Sequence, residues 1–390
     1  MFRLALTSTT RAHFASSVAS ATRPHCSSPL STLASFSSSF SSFTSPPNHH
    51  HHKTHLTATT TGHNSTHPSP HTFTHPQLAR FGTSAQMTPE EKAALRDSST
   101  LIIAAPISKS KVQPGKANYR LLLLQRSRVG TSASAHVFPG GNVDKADHDP
   151  RWATLLNYKP KGPNDPPLHN AICAIREAFE ESGVLVCDPP TELSNDEIRI
   201  WREKVHNDGK EFYNLCTSHN LKPSVDRLIH FSSWITPPIE PKRFHTQFYL
   251  TVLPWSRDSF SDSRVFADGK ETTRLDWFTP EEALEAYRKQ SIQTFMPPQF
   301  VSIAHLLPFK KHEDLQQHFG TREIMTIMPE FQMVSQDDDG LHLIGVLPGD
   351  EEHSVDIKKG HRHRVHITKN KKGMNVKSYI HGPTEIRARL

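Results

Sequence analysis

Cysteine is scarce in this sequence. The 390 residues contain four cysteines, Cys26, Cys173, Cys187 and Cys216, and their spacing matches neither a disulfide framework nor a cysteine metal site. Few, irregularly spaced cysteines indicate a reducing compartment. A fold held together by disulfides is therefore not expected.

Acidic residues and long apolar runs are also missing. No Asp or Glu precedes Glu90, so the formal net charge of +6 comes largely from the N-terminal segment, and the remainder is closer to neutral. A near-neutral folded part gives little support to a nucleic-acid partner. No apolar run approaches the ~20 residues that a membrane-spanning helix needs. We therefore expect neither a nucleic-acid partner nor a membrane span.

Large apolar side chains are sparse in residues 1–87, where Ser, Thr, His and Pro dominate. Such a segment buries too little surface to offset its chain entropy, so a disordered tail is expected. Its first part contains Arg3, Arg11 and Arg23, many Ser and Ala, and no acid, which is typical of a mitochondrial presequence. A poorly constrained tail without a targeting role is the alternative.

Three glutamates follow helical spacing in the middle of the chain. Residues 170–182 lack Gly and Pro and are rich in Ala, Ile and Glu, which favours a helix, and Gly183 favours its end. Glu177, Glu180 and Glu181 stand at i, i+3 and i+4, so they lie on one side of this helix.

This carboxylate cluster has two interpretations. Like charges at this spacing repel by a few tenths of a kcal/mol per pair, and a hard cation such as Mg²⁺ or Mn²⁺ removes that repulsion because it prefers oxygen ligands. Arg176 can brace one carboxylate through a charge-assisted hydrogen bond. The alternative is an acidic helix face that is simply solvated.

The order of residues resembles the Nudix box of the Nudix hydrolases. Residues 176–184 read Arg-Glu-x-x-Glu-Glu-x-Gly followed by Val, which is the second half of that box. Its first half is a Gly, five residues and a Glu, and here Gly141 is followed at that spacing by Asp147. An insertion of residues 148–168 carries five prolines, which indicate a surface loop. The enlarged box resembles the branch typified by the mammalian peroxisomal coenzyme A diphosphatases.

The resemblance implies a divalent-metal site. Glu177, Glu180 and Glu181 become ligands of Mg²⁺ or Mn²⁺, and the Gly140 carbonyl completes the metal shell. Glu177 is either a ligand or the general base, and Glu271 in a later loop is the other option for the base. The candidate catalytic residues are Arg176, Glu177 and Glu181.

Substrate contacts are expected from the residues around a leucine-rich strand. This strand, residues 119–125, ends at Arg126, and a Phe-Pro-Gly-Gly segment follows, as in the coenzyme A-directed Nudix enzymes that it resembles. Arg128 can add positive charge near a phosphate. Gly140 and Gly141 allow the backbone to approach a phosphate or metal closely. Surface positions for the two arginines are the alternative.

A third arginine, Arg243, precedes the strand predicted at residues 248–253. The branch has Arg-Phe-Asp-Thr at this point, and His245 replaces the Asp. Because Arg grips diphosphate or carboxylate oxygens two at a time, Arg243 is a candidate substrate contact. The alternative is a solvated residue at a strand edge.

The resemblance implies an α/β fold, namely a Nudix α/β/α sandwich around a mixed β-sheet. We expect the disordered tail at residues 1–87, the Nudix hydrolase domain at residues 95–310 and a β-rich extension at residues 311–390. Other expected elements are a strand at 184–187, a helix at 194–205, and strands at 341–347, 354–357 and 364–368.

The last three residues, Ala388, Arg389 and Leu390, resemble the Ser-Lys-Leu address that the peroxisomal import receptor reads. We therefore expect a peroxisomal location, with the mitochondrion as the alternative.

The leading functional hypothesis is hydrolysis of the diphosphate bond of coenzyme A or acyl-CoA, giving 3′,5′-ADP and (acyl)phosphopantetheine. Two alternatives remain open. One is a hydrolase of another nucleoside diphosphate derivative, such as NADH or ADP-ribose. The other is a non-catalytic Nudix-fold module that binds a nucleotide or a partner.

Overall fold

The computed structural model describes residues 80–81, 87–127, 134–160, 167–191, 193–254, 267, 272–370 and 373–388. The helices are α1 (Pro89–Ala93), α2 (Arg151–Leu156), α3 (Leu168–Ser182), α4 (Asn195–Asn207), α5 (Lys210–Ser218), α6 (Pro280–Arg288), α7 (Pro297–Leu306) and α8 (His312–Phe319). The strands are β1 (Arg80–Phe81), β2 (Arg96–Pro106), β3 (Tyr119–Arg126), β4 (His136–Val137), β5 (Gly140–Asn142), β6 (Cys187–Asp188), β7 (Lys222–Pro223), β8 (Ile229–Ile235), β9 (Phe244–Val252), β10 (Thr272–Phe278), β11 (Thr326–Ile327), β12 (Glu330–Asp337), β13 (Gly340–Val346), β14 (His363–Asn370), β15 (Gly373–His381) and β16 (Thr384–Arg387).

The central sheet combines parallel and antiparallel pairs. Its strand order is β10-β3-β2-β9-β8-β11, with β4 beside β3 and β5 beside β2. β2 runs parallel to β9, and β11 runs parallel to β8, whereas β3 and β10 pair antiparallel. The mixed sheet predicted from the sequence is thus confirmed.

Helices cover both faces of this sheet. Leu121 and Leu123 of β3 pack in a core with α6, α7 and α8, while Leu122 and Leu124 pack in a second core with α3, α4 and α5. Successive side chains of a strand point to opposite faces, so a run of leucines fits a strand that is buried on both sides. This arrangement confirms the α/β/α sandwich.

A second, six-stranded sheet has the order β1-β12-β13-β14-β15-β16 and is antiparallel throughout. Its apolar residues, such as Val365 and Val376, belong to the same core as Phe300 of α7. The Tyr287 hydroxyl of α6 donates a hydrogen bond to the Val376 carbonyl at 3.0 Å. The predicted extension at residues 311–390 therefore shares its core with the Nudix domain rather than forming a separate layer.

Four local predictions differ from the structure. Of the strand predicted at residues 184–187, only Cys187 lies in a strand, β6. Arg80–Phe81, inside the predicted tail, pairs with β12. The insertion, predicted to be a surface loop, contains the short helix α2. Its Trp152 side chain is buried and anchors this helix, with the indole N–H donating to the Ala146 carbonyl at 3.0 Å. Residues 354–357 form no strand: the Asp356 backbone is held within its own loop by His353 and Gly349.

None of the helices in the described part of the chain has the length and apolar character that a bilayer crossing requires.

Candidate active site

Helix α3 carries the three predicted glutamates. It spans Leu168–Ser182 and ends at Gly183, whose φ of 77° is left-handed and whose N–H donates to the Phe179 carbonyl. Glycine adopts this conformation without steric cost, so it terminates the helix just beyond the last glutamate. The helix and its end agree with the sequence prediction.

Arg176 bonds to several carboxylates at once. Its Nε and Nη2 donate to the two oxygens of Asp147 at 2.8 Å each, which is a bidentate ion pair. Its Nη1 donates to Glu177 Oε1 at 2.9 Å and to Glu180 Oε1 at 2.6 Å. The sequence predicted a brace for one carboxylate, but the planar guanidinium with its five donors reaches three.

Burial dominates the electrostatics of this cluster. The pKa of Glu177 is raised to about 7, mainly by burial; Arg176 opposes this rise and the charge of Glu180 adds to it. Burial also raises the pKa of Glu180, against the opposing effect of Arg176. The pKa of Arg176 is raised because its bonds to Asp147 and the charge of Glu177 outweigh the effect of burial.

Gly140 and Gly141 lie on β5 directly against β2 and the carboxylates. A Cβ at Gly140 would lie 2.4 Å from the Ser99 carbonyl oxygen, and a Cβ at Gly141 would lie 2.5 Å from Glu177 Cδ. The Gly140 N–H donates to Glu181 Oε2 at 2.9 Å. Only glycine permits this close approach between the strand and the acidic side of α3.

The donor atoms of the carboxylate cluster suit a hard divalent cation, although they are not arranged around one. Among the described residues, no group of three or more His, Cys, Asp or Glu forms a metal cage, and Arg176 bonds to an oxygen of both Glu177 and Glu180. The donors are carboxylate and carbonyl oxygens, the ligand type that Mg²⁺ and Mn²⁺ prefer. The glycine backbone at Gly141 leaves the space beside the Glu177 carboxylate unfilled by a side chain.

Unlike Arg176, the predicted substrate-binding arginines Arg126 and Arg243, which the structure describes, do not bond to the glutamates of α3. Arg126 is exposed at the end of β3, opposite Thr272, whose hydroxyl donates to the Glu181 carbonyl at 3.3 Å. Arg243 donates to the Thr236 carbonyl at 2.9 Å, and its Nη2 lies 3.5 Å from the Met87 sulfur. Both remain predictions, and Arg128 and Glu271 lie outside the described residues.

Two contacts to Glu180 were not predicted from the sequence. Arg202 of α4 donates to the Glu180 carbonyl, and His206 Nδ1 lies 3.8 Å from Glu180 Oε2. The sequence does contain one sign of the Arg202 contact: this arginine lies on the apolar stripe of the predicted helix, between Ile198 and Val205.

The mixed sheet, the glycine strand and the glutamate helix together define a Nudix hydrolase. A family model described as the NUDT19 Nudix domain matches residues 95–166 and 163–306. The chain therefore belongs to the NUDT19 family of Nudix proteins.

Curated relatives cover most of the same region. The chain is 31% identical over 311 residues to the acyl-coenzyme A diphosphatase NUDT19 of Gallus gallus. The aligned region covers 67% of this chain and 80% of the chicken protein. The chain is 29% identical over 318 residues to the Xenopus laevis protein of the same name, covering 67% of this chain and 81% of the frog protein. A Nudix hydrolase structure from Alicyclobacillus acidocaldarius covers 59% of this chain and 98% of its own, with 19% identity and a TM-score of 0.48.

Proposed function

We propose that this protein hydrolyses the diphosphate bond of coenzyme A or acyl-CoA, giving 3′,5′-ADP and (acyl)phosphopantetheine. The observation that carries the proposal is the placement of Glu177, Glu180 and Glu181 on one helix beside the glycine backbone of β5. The names of the relatives support the substrate, because the chicken and frog proteins are acyl-coenzyme A diphosphatases.

The required cofactor is proposed to be Mg²⁺ or Mn²⁺, held by Glu177, Glu180, Glu181 and the Gly140 carbonyl. When bound, such a cation polarises phosphoryl oxygens and lowers the pKa of a coordinated water.

The protein's own residues prepare the site. Arg176 fixes the carboxylates of Glu177 and Glu180, and Asp147 holds Arg176 from the other side. The Gly140 N–H orients Glu181. Groups held in place before the substrate arrives lower the reorganisation that the reaction requires.

A substrate panel tests the proposal. Purified protein is incubated with Mn²⁺ and, separately, with CoA, an acyl-CoA, NADH and ADP-ribose, and the products are separated by chromatography. We expect 3′,5′-ADP from CoA and acyl-CoA at rates well above those for the other two compounds. Faster cleavage of NADH or ADP-ribose would contradict the proposed substrate, and binding without metal-dependent turnover would indicate a non-catalytic module.

We also propose a peroxisomal location through Ala388, Arg389 and Leu390, read by the peroxisomal import receptor. Ala388 is buried and its N–H donates to the Lys377 carbonyl at 2.7 Å, so the receptor must compete with this contact. Imaging of the chain with a free and with a fused C-terminus tests the proposal. Peroxisomal location that survives the fusion would contradict it, and mitochondrial location would favour the N-terminal segment.

A further inference from the structure

Helix α4 contacts the last turn of α3 through a buried arginine. Arg202 Nε and Nη2 both donate to the Glu180 carbonyl oxygen, at 3.0 Å and 2.7 Å. The side chain is almost completely buried, with 5% of Arg202 exposed. Its guanidinium therefore reaches the backbone of a residue whose side chain belongs to the carboxylate cluster.

The last carbonyls of a helix have no partner within the helix. In α3 the Phe179 carbonyl accepts from the Gly183 N–H, and the Ala178 carbonyl accepts from the Ser182 hydroxyl. The Glu180 carbonyl instead accepts from Arg202 of another helix. This end of a helix carries partial negative charge, which opposes further carboxylates, so a guanidinium there offsets the charge of the glutamates.

The same helix face reaches the side chain of Glu180. His206 follows Arg202 by one turn, and its Nδ1 lies 3.8 Å from Glu180 Oε2. Arg202 lies between Ile198 and Val205 on the buried stripe of α4, where an apolar side chain would pack at lower desolvation cost. The hydrogen bonds to the Glu180 carbonyl of α3 help to offset the desolvation cost of burying a guanidinium at this position.

We propose that Arg202 is a positioning residue for the metal-binding turn, by which we mean the last turn of α3 with Glu180 and Glu181. By holding the Glu180 carbonyl, it fixes the end of α3 from which the Glu180 and Glu181 carboxylates project. The inference rests on the proposed metal-dependent function. Helix α4 lies outside the Nudix box, yet through Arg202 it sets the affinity of that site for a divalent cation.

Binding of Mn²⁺ in the absence of substrate tests this directly. Free Mn²⁺ is measured by electron paramagnetic resonance in titrations of the full-length wild-type protein, Arg202→Met and Arg202→Lys. Residues that orient metal ligands typically change affinity by about 10- to 100-fold, so we expect a loss of that size in Arg202→Met. Arg202→Lys retains a cationic donor and is expected to recover part of the affinity.

Turnover of CoA gives a second readout. We expect Arg202→Met to lower kcat with little change in KM, because Arg202 acts on the metal-binding turn. The matched control is Arg199→Met, which removes an exposed arginine of the same helix that pairs with Asp196. This control is expected to bind Mn²⁺ and to cleave CoA as the wild-type protein does.

Wild-type Mn²⁺ affinity in Arg202→Met, with only a lower melting temperature, would overturn the inference and leave Arg202 a purely structural residue. If Arg202→Met does not fold, Arg202→Lys decides the question. A lysine ammonium cannot reproduce the two hydrogen bonds that the guanidinium gives to the Glu180 carbonyl, so a several-fold loss of Mn²⁺ affinity is expected, and an affinity within about twofold of wild type would overturn the inference. Failure of the wild-type protein to cleave CoA would overturn the proposed function instead, since the Mn²⁺ titrations contain no substrate.

Discussion

Asp147 and Arg176 form the most completely buried ion pair of the site, with side chains that are 1% and 5% exposed. Asp147 also accepts from the Asp144 N–H at 2.8 Å. The sequence left the role of Asp147 open, because an insertion separates it from the rest of the box and it replaces a Glu. In the structure, the two oxygens of this shorter carboxylate match the two N–H groups of the guanidinium.

Replacement of Asp147 by Ala is expected to destabilise the protein by about 3–5 kcal/mol, because it leaves the Arg176 guanidinium buried with fewer partners. The control is Asp149→Ala, whose partner Arg151 is exposed. This variant is expected to lose no more than about 1–2 kcal/mol, because Asp149 also accepts the Arg151 N–H at the start of α2. Urea unfolding followed by circular dichroism measures both. Equal losses in the two variants would contradict this account of the ion pair.

Gly141 is the second residue on which the site depends. We expect Gly141→Ala to lower CoA turnover on the order of 100-fold, because its Cβ would displace the Glu177 carboxylate, and displacements of ~1 Å cost about that much. Gly115→Ala serves as the control: its positive φ costs some stability, but no heavy atom lies within 4 Å of the added Cβ. Steady-state kinetics of both proteins check this, and near wild-type turnover in Gly141→Ala would contradict it.

Among the helices and strands, the sequence predicted best those in which helix propensity and the end signals of the helix agree. Helix α3 combines strong helix formers with Gly183, and α4 begins with a cap in which Ser194 and Glu197 accept from each other's backbone N–H groups. Both helices therefore follow from local sequence.

The missed elements depend on distant partners. Residues 184–187 are apolar enough for a strand, but of these four residues only Cys187 belongs to a strand, β6, which pairs with β7. Val355 and Ile357 alternate with polar residues, yet they are exposed and the loop bonds to itself. The contacts of Arg202 and His206 with Glu180 join elements that only the folded chain brings together.

A pair of histidines lies where α7 meets the second sheet: His305 of α7 is partly exposed, and His363 at the start of β14 is buried. The Tyr379 hydroxyl lies 2.7 Å from His305 Nε2 and 3.0 Å from His363 Nε2. The pKa of His305 is lowered to about 3, mainly by burial and in part by the nearby His363, and the pKa of His363 is lowered to about 4, mainly by burial. The other titratable or charged neighbours of His305 are Arg322, His381 and His318.

These shifts predict acid sensitivity of the protein. Below the unfolded-state pKa of about 6.5, the unfolded chain binds protons that folded His305 and His363 do not, so stability falls as pH decreases towards 4. We expect His305→Gln to reduce the slope of unfolding free energy against pH by up to about 1.4 kcal/mol per pH unit between pH 6 and pH 4. Urea unfolding across this range measures the slope, and identical slopes for the variant and wild type would contradict the prediction.

At the scale of the whole molecule, the C-terminal sheet completes the Nudix core. Residues 72–390 form one compact unit, and a single apolar core joins the central sheet, α6, α7 and the second sheet. Deletion of residues 322–390 is therefore expected to expose this core and to abolish cooperative folding. Thermal unfolding and binding of a hydrophobic dye measure the outcome. A truncated protein with a wild-type melting temperature would show that the extension is an independent module.

We propose that the glutamates of α3 hold the divalent cation that drives hydrolysis of a diphosphate. The decisive measurement is the rate of Mn²⁺-dependent CoA cleavage in the wild-type protein, Glu180→Gln and Glu181→Gln, with the exposed Glu203→Gln as the control. We expect a loss of about 100-fold or more in the two site variants and none in the control, so that the glutamate site, not the helix surface, sets the rate. Wild-type rates in Glu180→Gln and Glu181→Gln would contradict it.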